Sequence, residues 1–131
     1  QDHEHIISHN IELGIAISGD KMALISLIYN LLENAEKYSP ADTEIKVSLK
    51  KENAKEAVLR ISDEGNGIPE SERQKVFEKF YRMGNEDTRK TKGTGLGLFI
   101  VQHVVTLHKG SIQVKSNQPS GAIFEIRLPI S

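Results

Sequence analysis

"GDKMALISLIYNLLENAEKY", residues 19–38, decides the fold. Asp20 stands where a side-chain oxygen caps free helix N–H groups, and apolar residues at 24, 27, 28, 31 and 35 follow at helical spacing. Ser39-Pro40 closes the pattern, because a proline disfavours helical backbone at the residue before it. The spacing predicts one long helix with an apolar stripe. The same helix carries a polar arc: at about 100° per residue, Asn34 lies about 40° and Lys37 about 20° from Asn30. Asparagine is a poor helix former, so two of them one turn apart need a reason. Either they decorate a solvated face or they converge on a ligand. Mg²⁺ prefers oxygen ligands and keeps waters beside substrate phosphates, so one amide oxygen can hold it without adding negative charge next to a polyphosphate. Lys37 would then neutralise phosphate oxygens.

On both sides of this helix the period changes to two. "HIISHNIELGIAI" (5–17) reads as one or two short strands. "TEIKVSLKK" (43–51) and "EAVLRISDE" (56–64) flank "ENAK" and read as an antiparallel hairpin. A short helix is expected from Pro69. "RMGNEDTRKTKGT" (82–94) is polar, charged and aperiodic, and a loop of that length in a small domain is usually functional or disordered; it reads as a lid. From Gly95 to His108 the pattern is helical again, with Lys109 and Gly110 as basic last-turn residue and C′ glycine. "SIQVKSN" (111–117) and "AIFEIRLPI" (122–130) give a final hairpin. The expected fold class is α/β: a two-layer sandwich of a mixed, mostly antiparallel sheet with about three helices on one face.

Two glycine-bearing stretches qualify the ligand. In "DEGNGIP" (63–69), Gly65, Gly67 and Ile68 stand where a calcium loop needs two oxygen ligands and a glycine, so calcium is not expected. Asn66-Gly67 would close a tight turn without any ligand. Yet a carboxylate at a strand end can accept a hydrogen bond from an exocyclic amine, and neighbouring glycines let a flat ring approach. Asp63 is therefore expected to bind adenine rather than phosphate. In "KGTGLGLFIV" (92–101), Gly93, Gly95 and Gly97 precede and open a helix, where free N–H groups attract phosphate. The spacing G-x-G-x-G after a loop satisfies neither a Rossmann fingerprint nor a Walker loop. Close packing of small residues is the competing explanation. Arg82, Arg89, Lys90 and Lys92 add positive charge nearby.

With 131 residues the chain has room for one compact domain, residues 1–131, burying roughly two-thirds of its unfolded surface. Lys plus Arg total 17 against 18 Asp plus Glu, a formal charge of −1, so charge points neither to nucleic acid nor to direct membrane contact. The chain has no cysteine, which excludes disulfides, thiolate metal sites and thiol nucleophiles and fits a reducing, cytoplasmic compartment. Apolar runs such as "LGLFIV" are far shorter than the ~20 residues of a membrane helix, and no basic-then-apolar leader opens the chain. A start at Gln1, with a strand pattern almost at once, predicts a domain cut from something longer.

In chain order, "NLLENAEKYS" (30–39), "DEGNGIP", "FEKFYR" (77–82) and "GTGLGL" (93–98) resemble the N, G1, F and G2 boxes of the sensor histidine kinase ATP-binding domain, a family of the GHKL superfamily with the Bergerat ATP-binding fold. "ISGDKMAL" (17–24) and "GAIFEIRLP" (121–129) are similar to weaker family patterns, so the resemblance covers nearly the whole chain. It implies Mg-ATP as the ligand. By it, Asn30 and Asn34 hold Mg²⁺ and the phosphates, with Asn34 the metal ligand, Lys37 contacts phosphate and Tyr38 lies against the nucleoside; Asn30, Asn34 and Lys37 form the catalytic set. Asp63 takes the adenine amino group, and Gly65, Gly67 and Ile68 shape that wall. Phe77 and Phe80 are lid anchors or ordinary core. Arg82, Lys92 and Thr94 belong to the cofactor-binding set, Gly93, Gly95 and Gly97 to the lid hinge and phosphate cradle, and Leu96 and Leu98 pack beneath. Lys92 stands where the family often has Gly, which either stiffens the hinge or adds a phosphate contact.

The implied reaction moves the γ-phosphoryl group of ATP to a histidine. Of the five histidines none lies in the family's acceptor motif; "DHEHI" (2–6) has a His-Glu pair without the rest of it, and a metal site from His3 and His5 is a minor alternative. The acceptor is therefore expected on a separate helical dimerisation domain, with a response regulator as the parent's partner and the isolated domain a monomer. The competing functions are a gyrase-type ATPase, whose relatives carry a carboxylate at the position of Asn30; a serine kinase of the anti-sigma type; and a degenerate docking module.

Overall fold

The long helix, α1 (Lys21–Tyr38), forms where the spacing places it. Asp20 Oδ1 accepts the N–H groups of Met22 (3.0 Å) and Ala23 (3.3 Å), satisfying two donors that the first turn leaves free. Ser39 ends it, in extended backbone, and its hydroxyl donates to the Ala35 carbonyl (2.6 Å). Leu27, Leu31 and Ala35 are buried and Leu24 partly so, as the apolar stripe requires; Ile28 lies at the margin of that arc and is exposed.

The computed structural model describes residues 5–81 and 96–130. Their strands are β1 (Ile6–Ile11), β2 (Glu44–Lys51), β3 (Glu56–Ser62), β4 (Ser111–Ser116) and β5 (Ala122–Pro129), in one sheet of order β1-β2-β3-β5-β4. β1 runs parallel to β2 and every other pairing is antiparallel, so the expected mixed, mostly antiparallel sheet is present. Residues 5–17 contribute one strand of the one or two expected. The helices are α1, α2 (Gly97–Leu107) and two single 3₁₀ turns, Glu70–Glu72 and Lys75–Phe77, which stand where a short helix was expected after Pro69.

Register explains which strand face is apolar. Val47 pairs with Ile61, Ile61 with Phe124 and Phe124 with Val114, so these side chains point the same way and meet Leu27, Leu31, Val101 and Val105 of the helices in one core. Leu27 and Ile126 are fully buried, and such burial stabilises by roughly 1.5–3 kcal/mol per side chain. The alternate residues form the opposite, polar face. There Glu125, 2% exposed, binds Arg60 (2.9 Å), Lys115 (3.1 Å) and Arg127 (3.0 Å). Burial raises the Glu125 pKa, but the hydrogen bonds and charges of Arg60 and Lys115 outweigh it, leaving the group below its ordinary value.

One end signal differs in detail. Lys109, not Gly110, takes the left-handed conformation after α2 (φ 61°), with Lys109 N–H donating to Thr106 (3.0 Å) and Gly110 N–H to Val105 (2.9 Å). This is a Schellman closure whose C′ position a lysine fills.

Candidate nucleotide site

Register also carries the end of β3 to the start of β5: Ser62 pairs with Ile123, and the Asp63 N–H donates to the Ala122 carbonyl (3.0 Å). Asp63 therefore emerges on the helix side, beside α1. The residue is 5% exposed, and its Oδ1 accepts the N–H groups of Gly65 (2.9 Å) and Ala122 (3.2 Å). Among the described residues Oδ2 receives no hydrogen bond. Burial lifts the Asp63 pKa above its ordinary value, and the two N–H groups pull it partway back. A buried, charged acceptor with one oxygen left over suits a ligand donor.

The turn after Asp63 is built of glycines for two different reasons. A Cβ on Gly65 would lie 2.2 Å from the Tyr38 carbonyl oxygen, so only glycine lets the turn pass the end of α1. Gly67 has φ of 80°, the left-handed region, as the Asn-Gly turn demands.

Asp63 opens into a cavity of about 320 Å³ between α1 and the start of α2. Asn30, Asn34, Lys37 and Tyr38 line it from α1; Asp63, Gly67 and Ile68 from the β3 end; Leu96, Gly97 and Leu98 from α2. Ten of the residues that the sequence assigned to the site thus meet in one space. Gly65 supports Asp63 from behind through its N–H. Phe80 does not line the cavity and is 66% exposed, whereas Phe77 belongs to the core, edge-on to Phe124 at 6.3 Å between ring centroids. Arg82, Lys92, Gly93, Thr94 and Gly95, and with them the lid expected over 82–94, lie outside the described residues, as does His3.

Sequence reasoning missed Glu33, Val76, Tyr81, Ile100, Ala122 and Phe124. Ala122 and Phe124 share the apolar alternation of β5, but only the strand order shows that β5 adjoins β3. Tyr81 is held there by donating its hydroxyl to Glu72 Oε1. No histidine lines the cavity among the described residues.

Chemically the space is mixed. The lining offers a buried carboxylate (Asp63) and apolar side chains (Ile68, Val76, Phe124), which suit a flat heterocycle carrying an amino group. The lining also offers amides (Asn30, Asn34), an ammonium (Lys37) and the start of α2, where Leu96 at the N-cap supplies no side-chain hydrogen bond. Helix-start N–H groups and a cation suit phosphates. The donor set also fits Mg²⁺: neutral amide oxygens can hold an ion that takes its remaining ligands from waters and phosphates, and among the described residues there is no cluster of three His, Cys, Asp or Glu to cage it unaided. No helix among the described residues is long and apolar enough to cross a membrane.

Residues 19–131 match the family described as "Histidine kinase-, DNA gyrase B-, and HSP90-like ATPase". The sensor-like histidine kinase SenX3 of Mycolicibacterium smegmatis is 37% identical over 123 residues, which are 94% of this chain and 32% of that protein. The signal transduction histidine-protein kinase/phosphatase MprB of a Mycobacterium species is 40% identical over 121 residues, 89% of this chain and 23% of that one. The chain thus spans about a third or less of these two relatives. A solved structure of the mycobacterial sensor histidine kinase MprB shares the fold with a TM-score of 0.86 at 35% identity, over 96% of this chain and 82% of the other. The cavity and these likenesses lead to one family: the chain belongs to the histidine kinase-, DNA gyrase B- and HSP90-like ATPases, as an ATP-binding catalytic domain of the sensor histidine kinase type.

Proposed function

We propose that this domain binds Mg-ATP with the adenine amino group on Asp63 and the phosphates between α1 and the start of α2, and passes the γ-phosphoryl group to a histidine on a separate helical dimerisation domain. The observation that carries this reading is that Asp63, at the end of β3, and Asn34, on α1, line one cavity. The parent is a two-component sensor kinase with a response regulator as its onward partner. This piece is a monomeric, cytoplasmic part of that membrane-bound parent.

Asp63 Oδ2 accepts from the adenine amine, while Oδ1 stays tied to Gly65 and Ala122. Tyr38, at the end of α1, lies along the nucleoside. Lys37 and the first N–H groups of α2 bind phosphate oxygens. Asn34 is the metal ligand and Asn30 serves the metal and the phosphates beside it. Magnesium, when bound, neutralises phosphate charge and fixes the orientation of the transferred group. Phosphoryl transfer depends on positioning and charge neutralisation more than on a strong base. An imidazole nucleophile needs little activation, which agrees with an amide at Asn30 rather than a carboxylate that would activate water. By the resemblance Arg82, Lys92 and Thr94 belong to the cofactor-binding set, Gly93 and Gly95 to the lid hinge and phosphate cradle, and Phe80 is a lid anchor or ordinary core.

The test supplies Mg-ATP to this domain with and without the parent's dimerisation domain. The expected result is acid-labile, alkali-stable phosphate on that second domain only, with little ATP turnover by the domain alone. Rapid hydrolysis by the isolated domain, or phosphate on serine, would overturn the reading.

A further inference from the structure

Asn30 is not free to present either end of its amide. Its Nδ2 lies 2.8 Å from the Ser26 carbonyl oxygen and 3.2 Å from Ser26 Oγ, one turn earlier on α1. A carbonyl oxygen can only accept, so the amide atom facing it must be the nitrogen. The oxygen is thereby turned the other way, toward the first residue of α2, where a Cβ on Gly97 would lie 3.1 Å from Oδ1. Asn30 and Gly97 both line the cavity, and Ser26 does not.

We infer that Ser26 is a positioning residue: by accepting from the Asn30 amide nitrogen through its carbonyl and hydroxyl oxygens it keeps that side chain's oxygen, an acceptor and cation ligand, directed at the phosphate end of the site. Rotating the amide by half a turn would set its oxygen against the Ser26 carbonyl and present a donor to the cavity instead. The carbonyl supplies the sign of this preference. The hydroxyl supplies a second acceptor, so that the amide nitrogen is held at two points and the side chain is kept in one rotamer before the ligand arrives. Hydrogen bonds that orient ligating groups contribute to metal affinity without touching the metal. Gly97 completes the arrangement, because its missing side chain leaves room for Oδ1 between the two helices.

This inference rests on the proposed role of Asn30 toward magnesium and phosphate, and the test separates the two. ATP binding is measured by calorimetry across a magnesium titration for the parent, Ser26→Ala, Ser26→Thr and Asn30→Ala, with thermal unfolding of each. The side-chain ¹⁵N amide signals of Asn30 are recorded for the first three. Ser26→Ala is expected to raise the magnesium concentration for half-maximal binding about threefold to tenfold, the worth of one hydrogen bond. It should also shift the Asn30 amide pair and leave the magnesium-free affinity and melting temperature near those of the parent. Ser26→Thr, which retains the hydroxyl, should restore both the midpoint and the amide signals. A parental midpoint in Ser26→Ala beside a raised one in Asn30→Ala overturns the role of Ser26 and leaves that of Asn30 standing. A parental midpoint in Asn30→Ala overturns both. An equal loss of magnesium-free and magnesium-bound affinity in Ser26→Ala, with a lower melting temperature, assigns Ser26 a structural role only and also overturns the inference.

Discussion

The Asp20 N–H donates to His108 Nε2 at 3.1 Å, joining the start of α1 to the end of α2 across 88 positions of sequence. The ring's other nitrogen, Nδ1, donates to the Val104 carbonyl at 2.8 Å. A backbone N–H can only donate and a carbonyl only accept, so these two contacts define one neutral tautomer of His108. The bond ties together the two helices that line the cavity. His108→Ala should lower stability by about 1 kcal/mol. A Cβ on Gly19 would lie 2.2 Å from the imidazole, so Gly19→Ala should cost a similar amount alone and much less in the His108→Ala background. Urea unfolding of the four proteins measures this coupling, and additive losses would contradict the contact.

Asp63 sets stability against binding. Its pKa is raised by burial, so the native state holds that proton more tightly than the unfolded chain does. The contribution to stability is complete below the unfolded value, about 3.9, and is lost as pH rises through the native one. At neutral pH the ionised carboxylate is held at a cost. Asp63→Asn keeps an oxygen for the Gly65 and Ala122 N–H groups but turns a donor toward the ligand. It should melt no lower than the parent at pH 7 and bind ATP about tenfold to a hundredfold more weakly. The parent's own affinity should fall when pH drops through a midpoint above the usual carboxylate range, which calorimetry between pH 4 and 7 reads directly.

Glu125 titrates with the opposite sign. Its pKa is depressed, because Arg60 and Lys115 together outweigh burial, so its contribution is present above about 4.3 and lost as pH falls through the lower native value. Glu125→Gln should cost about 1–3 kcal/mol, less than a fully buried pair would, since Arg60, Lys115 and Arg127 are partly exposed and can rehydrate. Glu125 lies on the sheet face away from the cavity, so nucleotide affinity should stay within about twofold, less than the worth of one hydrogen bond. A large loss of affinity would show that the two faces are coupled.

Gly65→Ala tests the turn itself. The added methyl would meet the Tyr38 carbonyl at 2.2 Å, and backbone must move to admit it. Overpacking of this kind costs about 1–3 kcal/mol, and the shift should also misplace Asp63, so melting temperature and ATP affinity should fall together. Loss of one without the other would separate the turn from the site.

What the sequence disclosed follows from which signals are local. The cap at Asp20 and the stop at Ser39 depend on neighbours within a few turns and appear as expected, and the arc of Asn30, Asn34 and Lys37 lines one cavity. Asp63 was legible because it closes an apolar strand and precedes two glycines. Ala122 and Phe124 were not, since nothing near them in sequence tells that β5 lies beside β3. Tyr81 and Val76 come from a segment of single 3₁₀ turns whose path has no periodicity to read. At Lys109 a glycine one residue later drew the expected left-handed position to itself, while a lysine accepted it.

The central claim is that Asp63 and Asn34 serve one nucleotide from its two ends. The most direct measurement is calorimetry of ATP binding, with and without magnesium, to the parent, Asp63→Ala and Asn34→Ala. The account predicts that Asp63→Ala loses binding under both conditions, while Asn34→Ala loses only the part that magnesium adds. Parental affinity and magnesium dependence in both variants would contradict it.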